Sequence, residues 1–161
     1  MQQRITPNLW FDTQSEEAAA FYTSVFPNSR IVRVTRYTEG APRPAGMVMT
    51  VEFELDGQRI VAINGGPEFT FSEAVSLQIN CKDQAEVDYY WEKLTEAGEE
   101  GPCGWLKDRY GVSWQVTPEG MDEVFAGADP GRAERAMEAM LHMRKLNVEA
   151  LRRAADGVPS A

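Results

Sequence analysis

The chain has 161 residues, 43% of them hydrophobic and 25% charged, enough apolar side chain to offset the entropy of ordering and too little charge bias for disorder. Sixteen Lys and Arg against 25 Asp and Glu leave a formal charge of -9, which repels a phosphate backbone at long range and disfavours nucleic acid as a partner. No apolar run approaches the roughly 20 residues of a bilayer span and residues 1–4 carry no signal-peptide core, so the sequence predicts a cytoplasmic fold with no membrane segment.

The length fits one compact domain or two fused half-domain repeats. Residues 5–11 alternate, with Ile5, Pro7, Leu9 and Phe11 on one side and Thr6, Asn8 and Trp10 on the other, the period of a one-face-packed strand. Thr13 with Glu16 has the form of a capping box, and Ala18, Phe21, Tyr22 and Val25 recur at helical spacing until Pro27-Asn28. A strand at 31–34, a Pro- and Gly-rich loop at 39–46 and an alternating strand at 48–55 follow. Asp56-Gly57 then signals a tight hairpin into residues 59–64. The order begins again with a strand at 75–81, a start signal at Asp83 and Glu86, and a helical stripe of Val87, Tyr90, Trp91 and Leu94. Setting Phe11 against Cys81 aligns the first strands, and Phe21-Tyr22 meets Tyr89-Tyr90 if the first strand-to-helix link is two residues longer. Strands around Trp105 and at 112–117 flank a turn at Asp108-Arg109-Tyr110-Gly111 and complete the second half.

Past the repeats, Asp129-Pro130 signals a helix start and Gly157 a helix stop. Ala133, Ala136, Met137, Met140, Met143 and Leu151 between them suggest one long amphipathic helix of roughly 35 to 40 Å at 1.5 Å per residue. Such a stripe predicts core or subunit interface, with Arg144-Lys145 and Arg152-Arg153 on a solvated face. The expected organisation is a module at 1–66, a second at 67–118 and a helical extension at 119–161.

Two βαβββ halves followed by a helix resemble the vicinal oxygen chelate superfamily, which includes glyoxalase I, extradiol dioxygenases and bleomycin- and fosfomycin-resistance proteins. Ile5-Thr6-Pro7-Asn8-Leu9-Trp10-Phe11-Asp12 with Glu16-Glu17-Ala18 and Phe21-Tyr22 resembles the opening of its PhnB-like branch. Gly104-Trp105-Leu106-Lys107-Asp108-Arg109-Tyr110-Gly111-Val112-Ser113-Trp114-Gln115-Val116 resembles that branch's closing strands, and Arg135-Ala136-Met137-Glu138-Ala139-Met140 its tail. The resemblance implies an α+β fold with two mixed sheets curling around a cleft and helices outside. Branch members are often labelled demethylubiquinone methyltransferase-like, but no strand here leads into a GxGxxG turn that would hold a nucleotide-bearing methyl donor, and Gly65-Gly66-Pro67 reads as a turn.

Transfer of the superfamily's metal-ligand positions puts Thr6, Ala62, Ser76 and Gln115 where His, Gln or Glu would stand. One amide and two hydroxyls do not offset the dehydration of a divalent ion, and His142 is the only histidine, so no metal and no cofactor are expected. Where branch members often carry a histidine this chain has Thr50, which leaves Glu52 on the same strand face as the acid or base candidate, or as a solvated carboxylate. Alternation places Thr6, Asn8, Trp10, Ser76, Gln78, Asn80, Ser113 and Gln115 opposite the helices, the cleft face by resemblance, where hydroxyls and amides beside an indole suit a neutral or cationic organic ligand. Trp105 either closes that pocket or is structural. Cys81 and Cys103 form neither a CxxC pair nor a disulfide framework, and Cys103 has no sequence neighbour to activate it.

Three readings of function stay open on this basis. The first is a metal-independent small-molecule binding protein acting as a homodimer. The second is an isomerase, lyase or transferase working in the same cleft. The third is an interaction module presenting its Met-rich helix.

Overall fold

The computed structural model describes residues 3–158. It divides into two compact units, one ending at Phe71 and the other beginning at Ser72. In the first, β1 (Asn8–Phe11) leads into α1 (Ser15–Val25), followed by β2 (Arg30–Arg36), β3 (Val48–Leu55) and β4 (Gln58–Asn64). The second repeats the order with β5 (Leu77–Cys81), α2 (Gln84–Thr95), β6 (Glu99–Glu100), β7 (Trp105–Lys107) and β8 (Ser113–Pro118). Strand order is β1-β4-β3-β2 in one sheet and β5-β8-β7-β6 in the other, with β1 parallel to β4, β5 parallel to β8 and the remaining pairs antiparallel. The two mixed sheets and the internal repeat thus agree with the α+β architecture expected from sequence.

Alternation sorts each sheet into a helix face and an open face. Val51, Phe53, Leu55, Ile60 and Ala62 are buried under α1 with Ala18, Ala19, Tyr22 and Val25; the Tyr22 and Phe53 rings stack with centroids 6.1 Å apart. Fully burying an aliphatic or aromatic side chain of this size contributes about 1.5 to 3 kcal/mol. In the second unit Val87, Tyr90, Trp91 and Leu94 of α2 cover Leu106, Trp114 and Val116. The spacing of these buried sets pairs Tyr22 with Trp91 and Val25 with Leu94, so the first strand-to-helix link is one residue longer, not two. Asp56 and Gly57, with φ of 44° and 80°, make the hairpin the sequence signals.

The two helix starts differ. Asp83 caps α2 as expected, its Oδ1 accepting from the Glu86 N–H at 2.9 Å. Thr13 does not cap α1: the residue before that helix is Gln14, with no side-chain cap. The buried Asn64 at the end of β4 does this work instead, its Oδ1 accepting from the Ser15 N–H at 2.9 Å while its Nδ2 donates to the Val48 carbonyl at 3.0 Å. A partner 49 residues downstream leaves no local signature.

The long C-terminal helix is not formed. Residues past β8 give α3 (Met121–Phe125), α4 (Arg132–Leu141) and α5 (Val148–Ala155), and a ten-residue helix spans only about 15 Å. The stripe is interrupted at Asn147, a polar residue at the position where an apolar one would continue it, and Asn147 caps α5 through an Oδ1 contact of 2.8 Å with the Ala150 N–H. Gly157, at φ 73°, ends α5, with the Val158 N–H reaching the Arg153 carbonyl and the Gly157 N–H the Ala154 carbonyl, as in a Schellman turn. The helices close a core of Val124, Ala136, Leu146, Leu151 and Ala155, against which Met140 and Met143 pack. Much of the stripe is therefore satisfied within the chain, and Met137 and Leu141 remain exposed. The link between α4 and α5 is tied to the second unit's body: the Cys103 and Gly104 N–H groups donate to the Met143 and Arg144 carbonyls at 2.8 and 2.7 Å. The Gln84 side chain donates to the Leu146 carbonyl and accepts from the Val148 N–H, both at 3.0 Å. Arg144-Lys145 lie in this link, where Lys145 pairs with Asp88 at 2.7 Å.

Candidate functional site

On the open face of the first sheet, cross-strand register sets Arg33, Glu52, Val61 and Asn8 in one row and Thr35, Thr50, Ile63 and Trp10 in the next. An ion-pair ladder links the first row to the adjoining row of Arg30, Glu54 and Arg59. Glu52 meets Arg33 and Arg59, each at 3.0 Å, and Glu54 meets Arg30 at 3.0 Å and Arg59 at 3.5 Å. Each Glu52 oxygen is thus ion-paired with a guanidinium, an arrangement that favours a structural carboxylate. In the second row the Thr35 and Thr50 hydroxyls hydrogen-bond at 2.6 Å. Trp10 packs down within its own unit: its indole N–H donates to the Gly66 carbonyl at 2.9 Å, and Phe69 meets the ring edge-on at a centroid distance of 5.1 Å. Its six-membered ring lies so close over Gly65 that a Cβ there would fall 2.1 Å from it. Asn8 donates to the Thr6 carbonyl at 3.0 Å.

On the second sheet Gln78, Gln115 and Trp105 form one cross-strand row, and Ser113 and Lys107 face each other in the next. Both glutamine amides are engaged locally, Gln78 Nε2 donating to Asn80 Oδ1 and Gln115 Nε2 to Ser76 Oγ, both at 2.8 Å. Beside them opens a cleft of about 430 Å³ whose wall includes Trp105, Lys107 and Ser113, with Pro102, Glu73 and Glu99 at its sides. Ser113 is 2% exposed and its Oγ has no hydrogen-bond partner among the described residues, an expensive state for a buried hydroxyl unless something else completes it. Lys107 Nζ and Glu73 Oε1 pair at 2.5 Å, and each holds the other ionised: the Glu73 carboxyl lies below its usual range and the Lys107 ammonium above it, chiefly through their hydrogen bond.

The turn that aims β7 and β8 at the cleft is organised by Asp108, which is 3% exposed. Its Oδ1 accepts from the Tyr110 and Val112 N–H groups at 2.9 and 3.1 Å, and its Oδ2 from the Trp114 indole at 2.8 Å. Of the residues singled out from sequence, Trp105 and Ser113 line the cleft, Ser76, Gln78, Asn80 and Gln115 lie elsewhere in the second unit, and Thr6, Asn8, Trp10 and Glu52 belong to the first. Lys107, Glu73 and Glu99 were missed. Alternation from Trp105 reaches Lys107 on the same face, but β6, which brings Glu99, is two residues long and carries no readable period.

Two four-stranded mixed sheets of the same strand order, each with one helix inserted after its first strand, make this a protein of the vicinal oxygen chelate superfamily. The family model described as 3-demethylubiquinone-9 3-methyltransferase matches residues 3–117, and the chain belongs to that PhnB-like family. The PhnB protein of Bacillus cereus is 39% identical, with a TM-score of 0.65 over 72% of this chain and 99% of its own. Protein PA1353 of Pseudomonas aeruginosa is 21% identical with a TM-score of 0.61, over 73% of this chain and 98% of its own, and shares the fold. The fosfomycin resistance protein FosX of Listeria monocytogenes does so at 13% identity and a TM-score of 0.52, over 76% of this chain and 98% of its own. No curated protein matches the sequence. The helices α3, α4 and α5 all lie past the matched span.

The superfamily's metal positions can be tested on the register. Asn8 faces Val61 as Gln78 faces Gln115, so the first-unit equivalent of Gln115 is Val61, one residue before the Ala62 reached by counting along the sequence. The four positions are then Thr6, Val61, Ser76 and Gln115, with the Gln115 amide already bonded to Ser76. Among the described residues no three His, Cys, Asp or Glu side chains converge to hold a metal ion. This donor set does not fit a divalent ion.

Proposed function

We propose that the chain is a metal-independent small-molecule binding protein that holds its ligand in the cleft on the second sheet. The single observation behind this reading is the buried, unpartnered Ser113 hydroxyl in the wall of a 430 Å³ cleft beside Trp105. A space of that size lies within the range of ligand pockets, and a few polar groups among apolar walls are what fix a ligand's orientation. Gln115 and Gln78 lie in the neighbouring strand row, outside the cleft's lining, while Trp10, with its indole N–H and ring committed to its own unit, serves packing. Glu52 acts as a member of the arginine ladder and not as a base.

The same reading makes the protein a homodimer. β1 and β5 are sheet edges, and the residues three and two positions before them, Ile5 and Val75, occupy equivalent places in the repeat and are 85% and 74% exposed. Exposed apolar residues beside open edges favour pairing with another copy. The test is native mass spectrometry of freshly purified protein, with elemental analysis after dialysis. A dimer carrying an organic adduct and no stoichiometric metal supports the reading; one tightly held zinc or iron per chain overturns it.

A further inference from the structure

We infer that this cleft selects an organic cation with a flat apolar body, an inference that rests on the cleft being the binding site. The walls carry three carboxylates, Glu73, Glu99 and Glu100, against one ammonium, Lys107. Lys107 is committed to Glu73 at 2.5 Å, and Arg144 reaches Glu100 at 3.9 Å from the α4–α5 link. Glu99 lies across the ladder from Lys107 and enters no ion pair among the described residues. Three carboxylates against Lys107 and Arg144 leave one negative charge in excess among the described residues, and low-dielectric walls concentrate its field in the opening.

The carboxylates line the cleft without converging, so they do not make a metal cage among the described residues. A diffuse positive charge on an organic body needs no convergence. It needs a carboxylate at the rim and an aromatic face, which Trp105 supplies in the wall with Pro102 and Leu106 beside it. Acidic residues alone would say little, but Ser113 is an independent observation. Its buried Oγ, lacking a partner among the described residues, is completed by a ligand that carries a hydrogen-bonding group next to its ring.

Three probes on one scaffold test this: 2-naphthylmethylammonium, 2-naphthylmethanol and 2-naphthoate, titrated into the full chain while the indole N–H resonances are followed by NMR. The ammonium should bind at least about tenfold tighter than the alcohol, the naphthoate weakest, and the margin should shrink in high salt. Glu99→Gln should bring the ammonium down to the alcohol's affinity, and Lys107→Met should tighten it by freeing Glu73. Ser113→Ala should weaken the alcohol severalfold while leaving the melting temperature no lower, since it removes an orphaned hydroxyl. Equal affinities for ammonium and alcohol, or preference for the naphthoate, overturn the cation inference and leave the cleft standing. If no probe moves the Trp105 resonance, the cleft itself is wrong and both readings fall.

Discussion

Three N–H groups converge on the buried Asp108 carboxylate, so removing it takes the acceptor from all three. Asp108→Ala should lower stability by about 2 to 5 kcal/mol, and Asp108→Asn by less because one acceptor oxygen survives; urea unfolding reads both. Cys81 gives the molecule an alkaline limb. Burial, with Glu86, Asp83 and Glu119 nearby, pushes its thiol from 9.0 up to about 12. The folded state keeps that proton while the unfolded chain releases it, so stability falls as pH rises from 9.0 towards about 12. Cys81→Ala should flatten the fall in urea midpoint between about pH 8.5 and 10.5, and an undiminished slope would refute the assignment. The acid limb has the opposite sign. Hydrogen bonds from Arg30, Lys107 and Lys145 hold Glu54, Glu73 and Asp88 below their ordinary values of 4.5, 4.5 and 3.8. Their contribution is present above those values and lost as pH falls through the folded ones.

At the scale of elements, Leu146 is where the extension meets the cleft. Its side chain packs over Gly104, where an added Cβ would come within 3.0 Å of it, beside the 101–104 turn whose Gly101 and Pro102 wall the cleft. Leu146→Ala should cost about 2 to 5 kcal/mol and slacken that wall, so probe affinity should fall together with melting temperature. Gly65→Ala should displace the Trp10 ring or the turn beneath it, seen as a shifted indole N–H resonance and lowered stability. What was legible in the sequence tracks what is local. The period of two along β3, the Asp-Gly hairpin and the Asp83 cap act over a few residues, and each stands in the structure where it was expected. What failed depends on distant partners or on interruption. Asn64 caps a helix 49 residues before it, β6 exists only through its pairing with β7, and the apparent single helix stops at Leu141 and restarts behind the Asn147 cap. Ser113 was legible as a cleft residue by alternation, but its missing partner was not, because an unsatisfied hydroxyl is a property of everything around it.

Taken whole, the two units share a strand plan and differ in what their open faces carry. The first is covered by an arginine–glutamate ladder and a packed-down tryptophan; the second keeps an open cleft. Chelator should therefore leave the melting temperature unchanged, because neither face offers a metal cage among the described residues. Charged substitution at both equivalent edge positions, Ile5→Glu with Val75→Glu, should shift a dimer to monomer in sedimentation while each unit stays folded. The pinned link between α4 and α5 bears on how the chain meets a protease. Arg144 and Lys145 are adjacent basic residues on a non-helical stretch, the usual invitation to trypsin. A scissile segment must first peel away into the enzyme's groove, and here the carbonyls of Met143, Arg144 and Leu146 are all held by the second unit's own N–H donors. Cleavage at this dibasic site should wait for unfolding of the second unit, so its rate reports that unit's opening and not the looseness of a tail.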